Sequence, residues 1–269
     1  GEYDWVGEPF SRLTNEMIDQ LKQLKQIQKR AVVRPFWLYL NTKDKVLKSN
    51  LIRQAIAHCI DRVSITQNSL REDTPLFTPT PSRISSNTHF FPGKDPEKAK
   101  ILFKEGLSKL GYTTPPSFVI RCCDLPGFSE FARELQQTLE KYLPISCYLE
   151  TMDWNQLRSY LERGEFQIAA CTQLAILNDP LEFLGRFAAD GIPNFSQWSD
   201  THYQRVLDCA ADSEEKKGFL QNAERILTTE MPFIPIANGV HLFAQNPKLK
   251  GTAFDDSGSV DLSYSYFED

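Results

Sequence analysis

Residues 117–172 read SFVIRCCDLPGFSEFARELQQTLEKYLPISCYLETMDWNQLRSYLERGEFQIAACT, and the changes of period along this stretch decide the fold. Residues 118 to 123 form a strand-like run, and Phe128, Ala132, Leu135 and Leu139 then recur at helical spacing. A second strand is predicted over 145 to 151. Asp153 caps a second helix carrying Trp154, Leu157 and Leu161, Gly164 stops it, and a third strand is predicted over 166 to 172. Strands alternating with helices of this length imply parallel β-α-β units with right-handed crossovers, the core of an α/β fold. In such sheets ligands sit beyond the carboxyl ends of the strands. That geometry nominates three loops, 124 to 127, 151 to 153 and 171 to 176.

Outward from this stretch, Asp95-Pro96 starts a helix whose apolar stripe of Ala99, Leu102, Phe103, Leu107 and Leu110 stops at Gly111. Aspartate is a natural cap and proline suits the first helical position. Residues 73 to 96, with five prolines among Ser, Thr and Asn, read as an extended connector. Asn50 precedes one helix running from Leu51 to Val63, with Asp61 and Arg62 on its rim, and a strand is predicted over 36 to 41. Met17, Ile18, Leu21, Leu24 and Ile27 follow Thr14 and Asn15 at helical spacing. Toward the end, Asp179-Pro180 opens a short helix, two longer helices follow over 203 to 210 and 213 to 229, and residues 233 to 237 and 240 to 244 read as two closing strands.

A chain of 269 residues, 41% hydrophobic and 24% charged, can bury one large core or two moderate ones. Thirty basic against 35 acidic residues, a net charge of -5, leave no footprint for a phosphate backbone, so nucleic acid is not an expected partner. No stretch approaches the ~20 apolar residues of a membrane helix. The opening Gly1-Glu2-Tyr3-Asp4-Trp5 reads as structured sequence rather than a signal peptide, which points to a piece of something longer.

Catalytic and metal chemistry find little to rest on. Cys122-Cys123-Asp124-Leu125-Pro126-Gly127 holds one glycine where a dinucleotide loop wants three. The histidines His58, His89, His202 and His241 stand in four different elements with no metal-type spacing. Cys59, Cys122, Cys123, Cys147, Cys171 and Cys209 form no C-x-x-C pair, and buried thiols behave as small hydrophobes. The acidic pairs Glu2/Asp4, Glu214/Glu215 and Asp255/Asp256 lie in polar stretches where nothing raises a pKa. No cofactor is expected. A binding site needs only a concave apolar surface with a few directed polar groups, which Gln173, Asn194, Trp198 and Asn238 can supply.

Several stretches, taken together and in order, resemble the peptide-binding receptors of ABC importers. They are Tyr39-Leu40-Asn41-Thr42-Lys43, Ile52-Arg53-Gln54-Ala55-Ile56 with Ile60-Asp61-Arg62, Pro79-Thr80-Pro81, and Asp95-Pro96-Glu97-Lys98-Ala99-Lys100 with Leu110-Gly111-Tyr112. Phe166-Gln167-Ile168-Ala169, Asn178-Asp179-Pro180-Leu181-Glu182-Phe183-Leu184 and Met231-Pro232-Phe233-Ile234-Pro235-Ile236 complete the set. The resemblance covers the whole chain but only the C-terminal half of a family member.

It implies a periplasmic-binding-protein-like lobe on β-α-β units, residues 36–231, plus part of a second lobe, residues 1–35 and 232–269. It also implies a solute receptor, not an enzyme, that holds peptides or peptide-like ligands between the lobes and delivers them to a membrane permease. The expected location is periplasmic or extracytoplasmic, with a lipid anchor carried on a missing N-terminus. Where the family carries a Trp, and an Asp that holds the peptide's α-ammonium, this sequence has Gln173 and Ile176. Weak recognition of free N-termini is therefore expected, unless another carboxylate such as Asp124 takes the role. Asp124, Cys171, Gln173, Leu174, Ile176, Asn194 and Asn238 are the candidate ligand contacts. Two other readings stay open: the effector domain of a cytoplasmic regulator, and a metal- or haem-carrying relative.

Overall fold

The computed structural model describes residues 3–81, 90–174, 179–189, 191, 193–212, 216–255 and 258–268. Ile176 and His89, with Glu2, Glu214, Glu215 and Asp256 of the acidic pairs, lie outside the described residues. Along the chain the elements are β1 (Trp5–Gly7), α1 (Asn15–Gln23), β2 (Gln28–Leu40), α2 (Asn50–Cys59), α3 (Arg62–Asn68), β3 (Thr74–Pro75), α4 (Pro96–Lys109) and β4 (Ser117–Cys123). Then come α5 (Phe128–Tyr142), β5 (Ser146–Met152), α6 (Trp154–Arg163), β6 (Ile168–Thr172), α7 (Pro180–Leu184) with a 3-10 turn Gly185–Phe187, α8 (Thr201–Asp212), α9 (Lys216–Glu230) and β7 (Phe233–Gln245). Four two-residue strands close the chain: β8 (Leu249–Lys250), β9 (Ala253–Phe254), β10 (Val260–Asp261) and β11 (Tyr266–Phe267).

The main sheet runs β1-β7-β2-β6-β4-β5, with β3 also on β7. β4 pairs in parallel with both β5 and β6, as the alternating pattern predicts, whereas β2 is antiparallel to β6 and to β7. Successive side chains of β2 face opposite ways. Phe36 meets Phe128 and Phe131 of α5, and Trp37 meets Phe183, Phe187 and Phe233. Helices thus cover both faces of the sheet. Caps fall where the sequence puts them: Asp95, Asp153 and Asp179 each accept a backbone N–H of the helix they start, and Gly164 ends α6 at φ 67.

Four sequence expectations are corrected. The helix from Asn50 does not run through to Val63. It stops at Cys59, and Asp61 caps a separate α3 by accepting from Ser64 N at 3.1 Å. Arg62 is therefore not on a rim but 1% exposed, because its Nε donates to Pro235 O at 2.6 Å and its Nη1 to Pro92 O at 2.7 Å. The strand predicted from residue 36 begins at Gln28, which leaves Ile27 outside α1, and the two closing strands are one continuous β7. Gly239 does not interrupt β7, since the Arg34 guanidinium occupies the space a side chain there would fill. The connector also contributes β3 to the sheet.

The sheet carries two cores. The larger gathers Phe36 to Leu40, Phe118, Ile120, Ile168 and the β7 residues Phe233, Ile234, Ile236 and Ala237. Leu13, Ile18 and Leu242 make the smaller, with Val6, Leu21, Ile27 and Val240 packed on it. β7 contributes to both, and its pairing with β2 is irregular between Ala31/Pro35 and Phe36/Trp37. At this waist Asn238 restores the lost ladder: its Oδ1 accepts from Arg34 N at 3.1 Å and its Nδ2 donates to Val32 O at 2.7 Å.

Removing the Arg62 donors while keeping bulk leaves two buried carbonyls unpaired. Arg62→Met should lower the unfolding free energy by about 2–4 kcal/mol, at about 1–3 kcal/mol for each carbonyl stranded and some relief from burying less charge. Urea unfolding checks this, and a loss below about 1 kcal/mol would mean those bonds contribute little.

Candidate functional site

Beyond the carboxyl ends of β4 and β6 the chain opens a cavity of about 450 Å³. Cys123 ends β4 and Thr172 ends β6, so the register of the parallel pair brings the two loops to one level. Gly127 then turns the chain into α5 at φ 85; a side chain there would press on Ser69 O at 2.9 Å. Glu130 reaches back to accept from Gly127 N at 2.8 Å. This seats Phe128 in the wall, with Leu125 beside it.

The rest of the wall comes from three directions. Trp154 at the start of α6 brings an indole that is 42% exposed, and Pro193 and Phe195 approach from the segment before α8. Arg158 and Glu162, one turn apart on α6, close on each other at 2.7 Å. Gln173 extends β6 past its last ladder pair by donating its N–H to Pro35 O at 2.7 Å. Its buried amide accepts from Arg186 Nη1 at 2.9 Å, while Arg186 Nη2 donates to Leu174 O at 2.9 Å. Arg186 stands there because Asp179, capping α7, and the following 3-10 turn fold the chain back on the end of β6.

Of the sequence candidates, Cys171, Gln173 and Leu174 line this cavity, with Leu174 65% exposed and the other two buried. Asp124 lies on the same loop as Leu125 but outside the lining; it is exposed, and accepts from Ser129 Oγ at 3.1 Å. Asn194 donates to Trp198 O at 2.6 Å and to Ala188 O at 3.3 Å, tying its own loop together. Trp198 is buried edge-on to Tyr203. Asn238 is engaged at the waist and is not in the lining. Ile176 lies outside the described residues. Sequence reasoning missed Arg186, Trp154, Phe195 and the Arg158/Glu162 pair. Only the i, i+4 spacing of Glu182 and Arg186 beside the Asp179-Pro180 start hinted at any of them.

Burial pushes the Cys171 thiol up to about 12, and burial with nearby Asp153 pushes Cys123 up to about 11. Both are uncharged at neutral pH, so the lining offers no thiolate nucleophile. His58 and His241 are held below the usual imidazole range, chiefly by burial, and sit in α2 and β7 away from the cavity. Among the described residues no three His, Cys, Asp or Glu side chains converge as a metal set, and no helix is long and apolar enough to cross a membrane. What the arrangement can do is hold a molecule: an apolar chamber with Thr172, Gln173 and Arg186 as directed polar groups.

The family model described as bacterial extracellular solute-binding proteins, family 5, middle, matches residues 1–195. Among curated relatives, the oligopeptide-binding protein OppA of Bacillus subtilis is 26% identical over 287 residues, covering 100% of this chain and 51% of that protein. The dipeptide-binding protein DppE of the same organism is 24% identical over 279 residues, covering 98% and 50%. The solved structure of Listeria monocytogenes OppA bound to peptide superposes with a TM-score of 0.89 at 19% identity, covering 100% of this chain and 54% of that one. The chain thus spans about half the length of the curated relatives it matches.

Five of the six cysteines are buried and Cys209 is exposed. At neutral pH an excess of maleimide should label the folded chain at about one equivalent within minutes and at six after denaturation. Rapid native labelling beyond one equivalent, mapped by peptide mass to Cys123 or Cys171, would show the cavity thiols to be accessible.

Proposed function

Because this chain belongs to the bacterial extracellular solute-binding proteins of family 5, we propose that it is the part of an importer's solute receptor that walls one side of the ligand cleft. The ligand is a peptide or peptide-like molecule, and the partner that receives it is an ABC-importer permease on the outer face of the inner membrane. The observation that carries this reading is the chamber of about 450 Å³ at the strand ends, largely apolar in its walls, with its two lining thiols held un-ionised by burial. A pocket of this kind suits capture and release rather than bond-making. The peptide-binding names of the relatives at full chain coverage support it.

The same reading divides the chain at the waist. On this reading residues 36–231 would form one lobe, and the expected boundary at 232 would shift into β7, since Phe233, Ile234, Ile236 and Ala237 pack in the larger core. Residues 1–35 and the remainder of 232–269 contribute to the other, around the smaller core. The ligand would lie between them.

Residues 172–178 contain no carboxylate, Asp124 stands outside the lining, and Glu162 within it is engaged by Arg158 at 2.7 Å. A peptide α-ammonium placed here lacks a charge-assisted bond worth about 1.5–3 kcal/mol. In calorimetric titration of the intact protein with matched pools of short peptides, the N-acetylated pool should bind as well as the free one or better. Binding confined to free peptides would mean that an anchoring carboxylate lies elsewhere. If neither pool binds, the peptide-receptor reading fails.

A further inference from the structure

The chamber has a charge of its own that the receptor reading does not use. Two of its described lining residues are cationic, Arg158 and Arg186, and one, Glu162, is anionic. Arg158 and Glu162 satisfy each other at 2.7 Å on the exposed face of α6. Arg186 is different. Its side chain is 14% exposed, and the two acceptors it reaches, Gln173 Oε1 and Leu174 O, are neutral. Glu182, one turn earlier, forms an ion pair with it at 3.8 Å that partly offsets its charge but is too long to use one of its N–H donors. The Nε atom is buried with no hydrogen-bond partner among the described residues. A guanidinium carries five N–H donors in a rigid fork, so part of that fork is left for something else.

We propose that Arg186 makes this chamber a receptor for a carboxylate, so that the ligand group it admits is an acidic one carried on an apolar body. The proposal rests on the receptor reading above and adds the polarity of the ligand to it. The physical reason is the surroundings of the cation. Leu125, Phe128, Trp154, Leu174 and Phe195 form the wall around it, and apolar walls strengthen Coulomb interactions relative to water. A half-paired cation there has lost part of its hydration without full compensation. A carboxylate that displaces the remaining water restores both charge and hydrogen bonds, in the planar two-bond geometry for which arginine is suited. An ammonium in the same position meets a like charge. The Gln173 amide has a defined part in this, since it holds the guanidinium in place through Nη1.

The carboxylate can be a ligand's C-terminus or an acidic side chain, and the test separates them. The intact protein is titrated calorimetrically with N-acetylated tetra-alanine carrying Glu or Gln at its second residue, each made as the C-terminal acid and as the amide. At least one acidic form should bind roughly tenfold or more tighter than the Gln amide, the size expected of a charge-assisted pair. A gain on Glu identifies a side-chain site, and a gain on the free acid identifies a C-terminal one. Arg186→Gln should bring all four peptides within about twofold of each other, and Arg186→Lys should keep part of the preference. Thermal melts of both variants report folding, and where Arg186→Gln does not fold, the wild-type series and Arg186→Lys decide. Equal binding of acidic and neutral forms by the wild-type protein overturns the proposal and leaves the receptor reading standing, as does a preference that survives Arg186→Gln. Absence of binding by all four peptides, and by the free and acetylated pools, removes both.

Discussion

The structure depends on the antiparallel pairing of β2 with β7, thirteen residues each, and on how that pairing survives its own interruption. Proline cannot donate to a ladder, so Pro35 breaks the hydrogen-bond pattern at the waist. The Asn238 side chain supplies an acceptor to Arg34 N and a donor to Val32 O in its place. Without such a bridge, the buried backbone groups of Val32 and Arg34 would each cost about 1–3 kcal/mol. With it, the pairing continues past the interruption, and the chamber at the end of β6 is joined to the waist by the β2–β6 ladder and by Gln173 N to Pro35 O.

The far edge of β7 shows the same economy in charged form. β1 pairs with β7 at residues 243 to 245 and β3 pairs at 237 and 238, which leaves a gap between them. Two buried carboxylates fill it: Asp73 accepts from Val240 N at 3.0 Å and Glu8 from Leu242 N at 3.0 Å. Their charges are met by Arg12 on Asp73 at 3.1 Å and by Arg34 on Glu8 at 2.7 Å. Burial pushes the Asp73 carboxyl up, against the pull of Arg12 and Arg34. Side chains here do what a further strand would do, and they do it at the junction of the two cores.

Much of this fold is legible in the residues because local and global preferences agree over 117–172. The period of the apolar positions, the capping aspartates and Gly164 all point to the same strands and helices. What stays hidden is whatever depends on partners distant in sequence. Arg62 looks like a rim residue until Pro92 and Pro235 are seen to receive it. Residues 233 to 237 and 240 to 244 read as two strands, because nothing in the sequence says that Asn238 and Gly239 between them continue the strand beside Arg34. Of the three loops nominated by the β-α-β rule, 124–127 and the described part of 171–176 reach the chamber while 151–153 adds no lining residue, and Arg186, Pro193 and Phe195 do not follow from the rule. The placement of Arg186 needs the Asp179 cap, the 3-10 turn and Gln173 acting together.

The waist also has a mechanical meaning. β3 joins β2 and β7 there through Thr74 and Pro75, so three neighbouring chain passages, bonded side to side, cross the same plane. The interruption of the ladder at Pro35 makes this level the place where such a ribbon would bend. Gln173 N bonds Pro35 O beside it, so the wall carrying Arg186 is joined to the chain at the level where the ladder is interrupted.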